Sequence, residues 1–174
     1  GDRVSDLVLR AGNILSSGYP SGARLFRELD DLGRVDLNLS EAIRSPAGVE
    51  DLTLQPGDSL HIPAYTPTVQ VVGAVNSPVT VLYRDDQDFG HYIAAAGGFR
   101  GDADEARASV RYANGLAQTR SKFLFWSSYP TPNAGSVITV PAKDPNDRVD
   151  KVALVTSLVG ILASLTTTVV VITR

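Results

Sequence analysis

The sequence predicts a mixed α+β chain made of two copies of one small unit followed by an apolar run. Three observations carry that expectation. A helix, a glycine stop and a proline-ended strand recur at fixed spacing; short alternating strand candidates lie between them; and residues 152–173 carry no charge.

In the first copy, Val4, Leu7, Val8 and Ala11 have helical spacing, with Asp2 expected as the cap and Gly12-Asn13 as the stop. Ala23 to Arg27 then reads as a strand, and Asp31-Leu32-Gly33 as a turn. Val35, Leu37 and Leu39 alternate as a further strand candidate, and Ser40 to Arg44 reads as a helical turn. Gly57-Asp58 opens the last strand, Ser59 to Ile62, which Pro63 ends because proline gives a sheet no N–H.

The second copy opens with two strand candidates, Thr68 to Val75 and Val79 to Tyr83, joined through Asn76-Ser77-Pro78. Asp86 or Asp88 is expected to cap a helix whose apolar positions Phe89, Tyr92, Ile93 and Ala96 follow Val4, Leu7, Val8 and Ala11 by 85 residues. Gly97-Gly98 stops it, Ala108 to Tyr112 is the next strand, and Asn114-Gly115 is a strong hairpin turn. The closing strand, Gly135 to Pro141, follows its counterpart by 78 residues, so the first copy holds seven more residues in its middle.

No strand pair precedes the first helix, so the first copy is expected to lack its opening hairpin and to belong to a longer protein. The absence of methionine and of a signal-peptide pattern at Gly1 leads to the same expectation. The expected organisation is a partial unit at residues 1–66, a second unit at 67–143, a hinge at 144–150 containing Asp144-Pro145-Asn146-Asp147-Arg148, and a membrane-spanning amphipathic helix at 151–174.

As a helix, Val152 to Thr173 would be roughly 33 Å long, enough for a hydrocarbon core of about 30 Å. Ala153, Thr156, Ser157, Gly160, Ser164, Thr167 and Thr168 share one arc, opposite Leu158, Ile161, Leu162, Leu165, Val169 and Ile172. Small residues and hydroxyls suit a neighbouring helix or a watery lumen, so Ser157, Gly160, Ser164, Thr167 and Thr168 are candidate pore-lining or helix-packing residues. A one-pass anchor whose hydroxyls bond back to their own helix, and a β-hairpin turning at Gly160, remain alternatives.

Composition narrows the function. The net charge is −3 and the two charges flanking the run are both positive, so the remainder is more anionic still, which argues against a nucleic-acid partner. Without cysteine there is no disulfide framework and no thiolate metal site. Asp85, Asp86 and Asp88 lack the spacing of a calcium loop, and Asp102, Asp104 and Glu105 read as a solvated connection. His61 falls in a strand and His91 in a helix, with no companion ligands, and Ser59 and Ser136 lie outside any nucleophile elbow. No catalytic residue, metal site or cofactor is therefore expected. Lys122 to Pro132 contains a strand candidate apolar on both faces, expected to be buried between sheet and helix; alternatively Trp126 and Tyr129 sit at a membrane interface or stack on sugar rings.

Three segments carry a resemblance: VQVVGAVNSPVTVLY (Val69 to Tyr83), YIAAAGG (Tyr92 to Gly98) and LQPGDSLHIP (Leu54 to Pro63). Together they resemble the SLBB module, the soluble ligand-binding β-grasp domain. Two such modules followed by GSVITVPAK (Gly135 to Lys143) and an apolar run resemble the outer-membrane polysaccharide export family of Gram-negative bacteria. The chain departs from the pattern at Gly12-Asn13, where two glycines are usual, at Ser136, where Asp is usual, and at Ser77-Pro78-Val79, which lacks a glycine after proline.

The resemblance implies tandem β-grasp modules in the periplasm, a homo-oligomeric ring, and a terminal helix that lines an exit through outer-membrane lipid. Its cargo would be capsular or other extracellular polysaccharide, and its partner an inner-membrane copolymerase or export machine. The family is a conduit and has no catalytic residues to carry over. A rival reading from another class is a monomeric ligand-binding module on a one-pass anchor.

Overall fold

The computed structural model describes residues 1–28, 33–123 and 126–144, and the chain is mixed α+β. It divides into two units, Gly1–Pro141 and Ala142–Arg174. The candidate pore residues Ser157, Gly160, Ser164, Thr167 and Thr168 and most of the hinge lie outside the described residues. Among the described residues no helix is long and apolar enough to cross a membrane.

The first unit holds both copies, here called module 1 (residues 1–66) and module 2 (residues 67–141). Module 1 contains α1 (Val4–Arg10), β1 (Arg24–Arg27), β2 (Gly33–Val35), α2 (Leu39–Arg44) and β3 (Ser59–His61). Its sheet is antiparallel in the order β2-β1-β3. Leu25 lies beneath Val4, Val8, Leu39 and Ala42 in one buried cluster, so helices and sheet close a single apolar layer.

Module 2 contains β4 (Thr68–Gly73), β5 (Val79–Leu82), α3 (Phe89–Ala95), β6 (Ser109–Arg111), β7 (Ala117–Thr119), β8 (Ser121–Phe123), β9 (Trp126–Ser128) and β10 (Val137–Val140). Five strands form one sheet in the order β5-β4-β10-β6-β7, with β4 parallel to β10 and the other pairs antiparallel. The alternation of β4 is realised: Val69 and Val71 are fully buried against Tyr92 and Ile93 of α3, while Gln70 faces out. At the end of β4 the chain passes so close to β10 that a Cβ on Gly73 would lie 2.1 Å from the Val140 carbonyl oxygen, and its φ of +97° also requires glycine.

The repeat extends to individual bonds. Short 3₁₀ turns occur at Pro20–Gly22 and at Glu105–Arg107, 85 residues apart. The Tyr19 N–H donates to the Pro63 carbonyl and the Asp104 N–H to the Pro141 carbonyl, both at 2.8 Å. Both helices stop on two successive residues of positive φ, Gly12 (+89°) with Asn13 (+67°) and Gly97 (+75°) with Gly98 (+85°). Asparagine tolerates the left-handed region, so the departure at Asn13 leaves the stop intact. At the closing turns Asp58 and Ser136 do the same work: a side-chain oxygen accepts from Gln55 N–H at 2.9 Å in one and from Asn133 N–H at 2.9 Å in the other.

Three expectations are corrected. Asp2 does not cap α1; it pairs with Arg10, and the helix starts at Arg3, whose N–H donates to Asp6 at 3.0 Å. Leu37 and Leu39 do not extend a strand, because β2 ends at Val35 and Leu39 already begins α2, where Asn38 caps by accepting from Glu41 N–H at 3.2 Å. The apolar segment after Lys122 is two paired strands, β8 and β9, with Phe123 opposite Trp126. Alternating apolar residues on both faces of a strand give no hint that Phe123 and Trp126 pair across two strands.

Candidate functional site

The modules meet along a groove of about 310 Å³, lined on one side by Tyr19, Pro63 and Ala64 and on the other by Thr68, Gln70, Thr80, Ala113, Gly135 and Ser136. Strand geometry explains the lining. Thr68 and Gln70 alternate with buried Val69 and Val71, so the polar residues of β4 face the groove, and Thr80, opposite Gln70 on β5, joins them. The close approach of the modules depends on small residues: a Cβ on Gly22 would lie 2.7 Å from the Tyr19 ring and 3.1 Å from Ala113 Cβ. Arg34 of β2 fastens the other side of the junction by donating to the Asn114 carbonyl at 3.0 Å.

Tyr19 stands with its ring edge-on to Tyr65, centroids 5.3 Å apart at 68°. Burial raises its phenol above the ordinary value, and the neighbouring Tyr65 adds to the shift. Tyr83, at the end of β5, is pushed up to about 12, mainly by burial and then by a hydrogen bond to Asp85 and that carboxylate's charge. Both phenols therefore stay neutral at physiological pH. The groove presents hydroxyls, an amide and a phenol, and none of its lining residues is Asp, Glu, Lys, Arg or His. That set can hydrogen-bond a neutral polar ligand and offers no base beside a nucleophile.

The residues singled out from sequence are spread over the fold. Tyr129 stacks flat on Phe89 (centroids 4.3 Å, 4°), lies under Arg120 at 4.9 Å, and donates from its hydroxyl to the Glu105 carbonyl at 3.3 Å. Its ring contacts are thus internal to module 2. Trp126 begins β9. His61 lies in β3 and His91 in α3, the latter edge-on to Tyr92, and among the described residues no group of three His, Cys, Asp or Glu is arranged to hold a metal. Asp88 caps α3 by accepting from His91 N–H at 3.0 Å, as its position before the helix predicts. Asp102 and Asp104 pair with Arg100 and Arg107.

The junction groove was not singled out from sequence. Its one legible trace is the period-two series Thr66, Thr68, Gln70 beside Val69 and Val71, and the rest depends on how two modules pack. No protein-family model and no curated protein matches the chain.

Proposed function

We propose that the chain is a subunit of an oligomeric outer-membrane translocon that exports capsular or extracellular polysaccharide, with β-grasp modules of the SLBB kind in the periplasm and residues 151–174 as the membrane helix. The observation that carries the reading is a duplicated unit joined to an amphipathic, uncharged run. In module 2 a hairpin leads into a helix, and the last strand returns beside the first in parallel in the order β5-β4-β10-β6-β7, an arrangement that supports the β-grasp reading. The first copy repeats the later part of that order as β2-β1-β3.

In this reading the modules stack as rings and the polar arc of Ser157, Gly160, Ser164, Thr167 and Thr168 faces the lumen or the next helix. Selectivity comes from the width and polarity of the path, the chain needs no cofactor, and an inner-membrane copolymerase or export machine delivers the polymer. The test is the mass of the detergent-extracted protein, whole and truncated after Arg148. A closed oligomer that loosens without the tail supports the conduit, and a monomer in both forms contradicts it.

One observation favours a second reading, a membrane-anchored β-grasp ligand-binding module with no conduit role. The junction groove, with its uncharged polar lining, is a pocket of the size small ligands occupy. Thr168→Leu separates the two: it perturbs assembly or export in a conduit and changes neither in an anchored binding module.

A further inference from the structure

Away from the junction, polar side chains hold the fold together. The hydroxyls of Tyr92, Tyr112 and Tyr129 donate to the carbonyls of Arg84, Thr131 and Glu105. Asn38, Asp88 and Asp104 accept from N–H groups at helix or turn starts. The junction groove contrasts with this. Tyr19, Thr66, Thr68, Gln70 and Thr80 all line it, and among the described residues none of their side chains makes a hydrogen bond. For Tyr19 the contrast is sharpest, because its ring is half-buried and a phenol taken from water ordinarily finds a partner.

The backbone around the groove is already paired. The Thr68 carbonyl accepts from Gly135 N–H, the Thr66 carbonyl from Thr68 N–H and the Pro63 carbonyl from Tyr19 N–H, each at 2.8 Å, while Gln70 N–H donates to the Ser136 carbonyl at 3.0 Å. An extended peptide is held mainly by main-chain bonds, and these groups are no longer free to make them. A flat aromatic ligand fits no better. Tyr19 and Tyr65 meet edge-on at 68°, so they leave no slot between parallel rings.

What is left is a set of side-chain donors and acceptors around a partly apolar hollow. Thr80, Gln70 and Val137 form one row across β5, β4 and β10 by direct register. Pro63 and Ala64 supply apolar surface from module 1, and Ala113 and Val137 from module 2. A pyranose has the same division, with hydroxyls around its rim and C–H bonds on its two faces. No lining residue is charged, so an ionised ligand taken from water would find no counter-charge in the lining. Arg111, opposite Val137 on β6, lies outside it. At about 310 Å³ the groove is at the small end of ligand pockets, which suits one or two rings.

We propose that the junction groove binds an uncharged pyranose, with Thr68, Gln70 and Thr80 on its hydroxyls, Tyr19 beside it, and both modules in contact with it. The proposal rests on the second reading above, that the groove is a ligand site, and holds with or without a conduit. A bound ring touches both modules, so it also ties module 1 to module 2 across a junction fastened on its other side by Arg34 and Asn114.

The test titrates the full chain, held in a phosphocholine detergent that carries no sugar, with three kinds of probe read by two-dimensional amide spectra. Methyl glycosides of glucose, galactose and mannose are the uncharged rings. Methyl glucuronide carries a carboxylate on the glucose ring, and mannitol keeps the hydroxyls without the ring. At least one methyl glycoside should shift the signals of Tyr19, Gln70 and Thr80 together and leave those of Val4 and Val8 in place. Methyl glucuronide should bind more weakly by about tenfold or more, and mannitol should shift none of them. Gln70→Leu combined with Thr80→Val, both at exposed positions, should weaken glycoside binding by about tenfold or more while the Phe89 and Ile93 signals report an intact fold. Silence with every glycoside overturns the proposal, and so does unchanged affinity in the double variant. Glucuronide or mannitol binding as tightly as the glycosides overturns it too but leaves the groove a ligand site, so the two claims fail separately.

Discussion

Asp51 and Tyr129 stand at the same place in their modules, over the start of the first helix, and hold it by different means. Asp51 is 1% exposed and accepts from Ser5 N–H (2.9 Å), Ser5 Oγ–H (2.8 Å) and Ala47 N–H (2.8 Å), so a carboxylate from a distant loop satisfies the helix's free donors. Tyr129 covers Phe89 with a flat ring. The next equivalent pair repeats the contrast: Asp58 takes a two-pronged bond from Arg27 at 2.8 Å, whereas Ser136 locks the same turn with a hydroxyl. Arg27 and Tyr112 also correspond, reaching the equivalent carbonyls of Thr53 at 3.2 Å and Thr131 at 3.1 Å. At these three pairs of positions one backbone plan is therefore held by charged side chains in module 1 and by rings and hydroxyls in module 2. With one face of module 1 also uncovered, the two copies should fail under different conditions.

The largest expected effect is Tyr92→Ala, which empties the largest fully buried site of module 2 and strips two bonds between its hydroxyl and the Arg84 backbone. It should cost about 3–5 kcal/mol, whereas the equivalent Leu7→Ala in module 1, on the half-bare face, should cost about 1 kcal/mol or less. Urea titration of both variants checks the ratio. Next, Asp51→Ala removes a buried carboxylate and the acceptor of the part-buried Ser5 and Ala47 N–H groups and should cost about 1–3 kcal/mol, seen as loss of α1 signals before any in α3.

The pH responses should separate the modules in opposite directions. Burial opposes ionisation of Asp51, but the bonds from Ala47 and Ser5 and the charge of Arg3 outweigh it and hold the carboxyl below 3.8. Arg27 does the same for Asp58 against its burial. A depressed carboxyl contributes stability above its unfolded value, about 3.9, and loses it as pH falls through the folded value, so acid below about pH 4 should loosen module 1 first. Tyr83 is shifted the other way, from 10.0 to about 12, so its contribution is intact below its unfolded value and is lost as pH rises across that interval. Tyr19 of module 1 is raised as well, but the larger shift is at Tyr83, so alkali should disturb module 2 at the end of β5 most. Two-dimensional amide spectra across both ranges check the order of loss. A similarly small effect is expected for Ser136→Ala, about 1 kcal/mol, because one turn bond from Asn133 is removed and the strand it opens stays in place.

Much of this plan was legible in sequence, and what escaped has specific causes. The repeat was readable because apolar spacing and glycine stops are local signals, and both hold at Val4, Val8, Phe89 and Ile93. The β4–β5 hairpin was readable because Asn76-Ser77-Pro78 interrupts two alternating strands. The start of α1 was misread because the acceptor of its Ser5 N–H is Asp51, distant in sequence, and local reading settled on Asp2. The pairing of β8 with β9 was missed because apolar residues run on in sequence from one strand to the other. The junction groove requires two modules in register, which no window along the chain contains.

The central claim is that module 1 repeats the plan of module 2 and that, among the described residues, the positions matching those covered by β4 and β5 are uncovered in it. The direct measurement is native-state amide exchange in the unmodified chain, comparing Leu60 with Ile138 and Ile62 with Val140. The module 2 amides should exchange about a hundredfold or more slowly than their counterparts, because among the described residues only they donate into a closed ladder. Equal protection within each pair would contradict it.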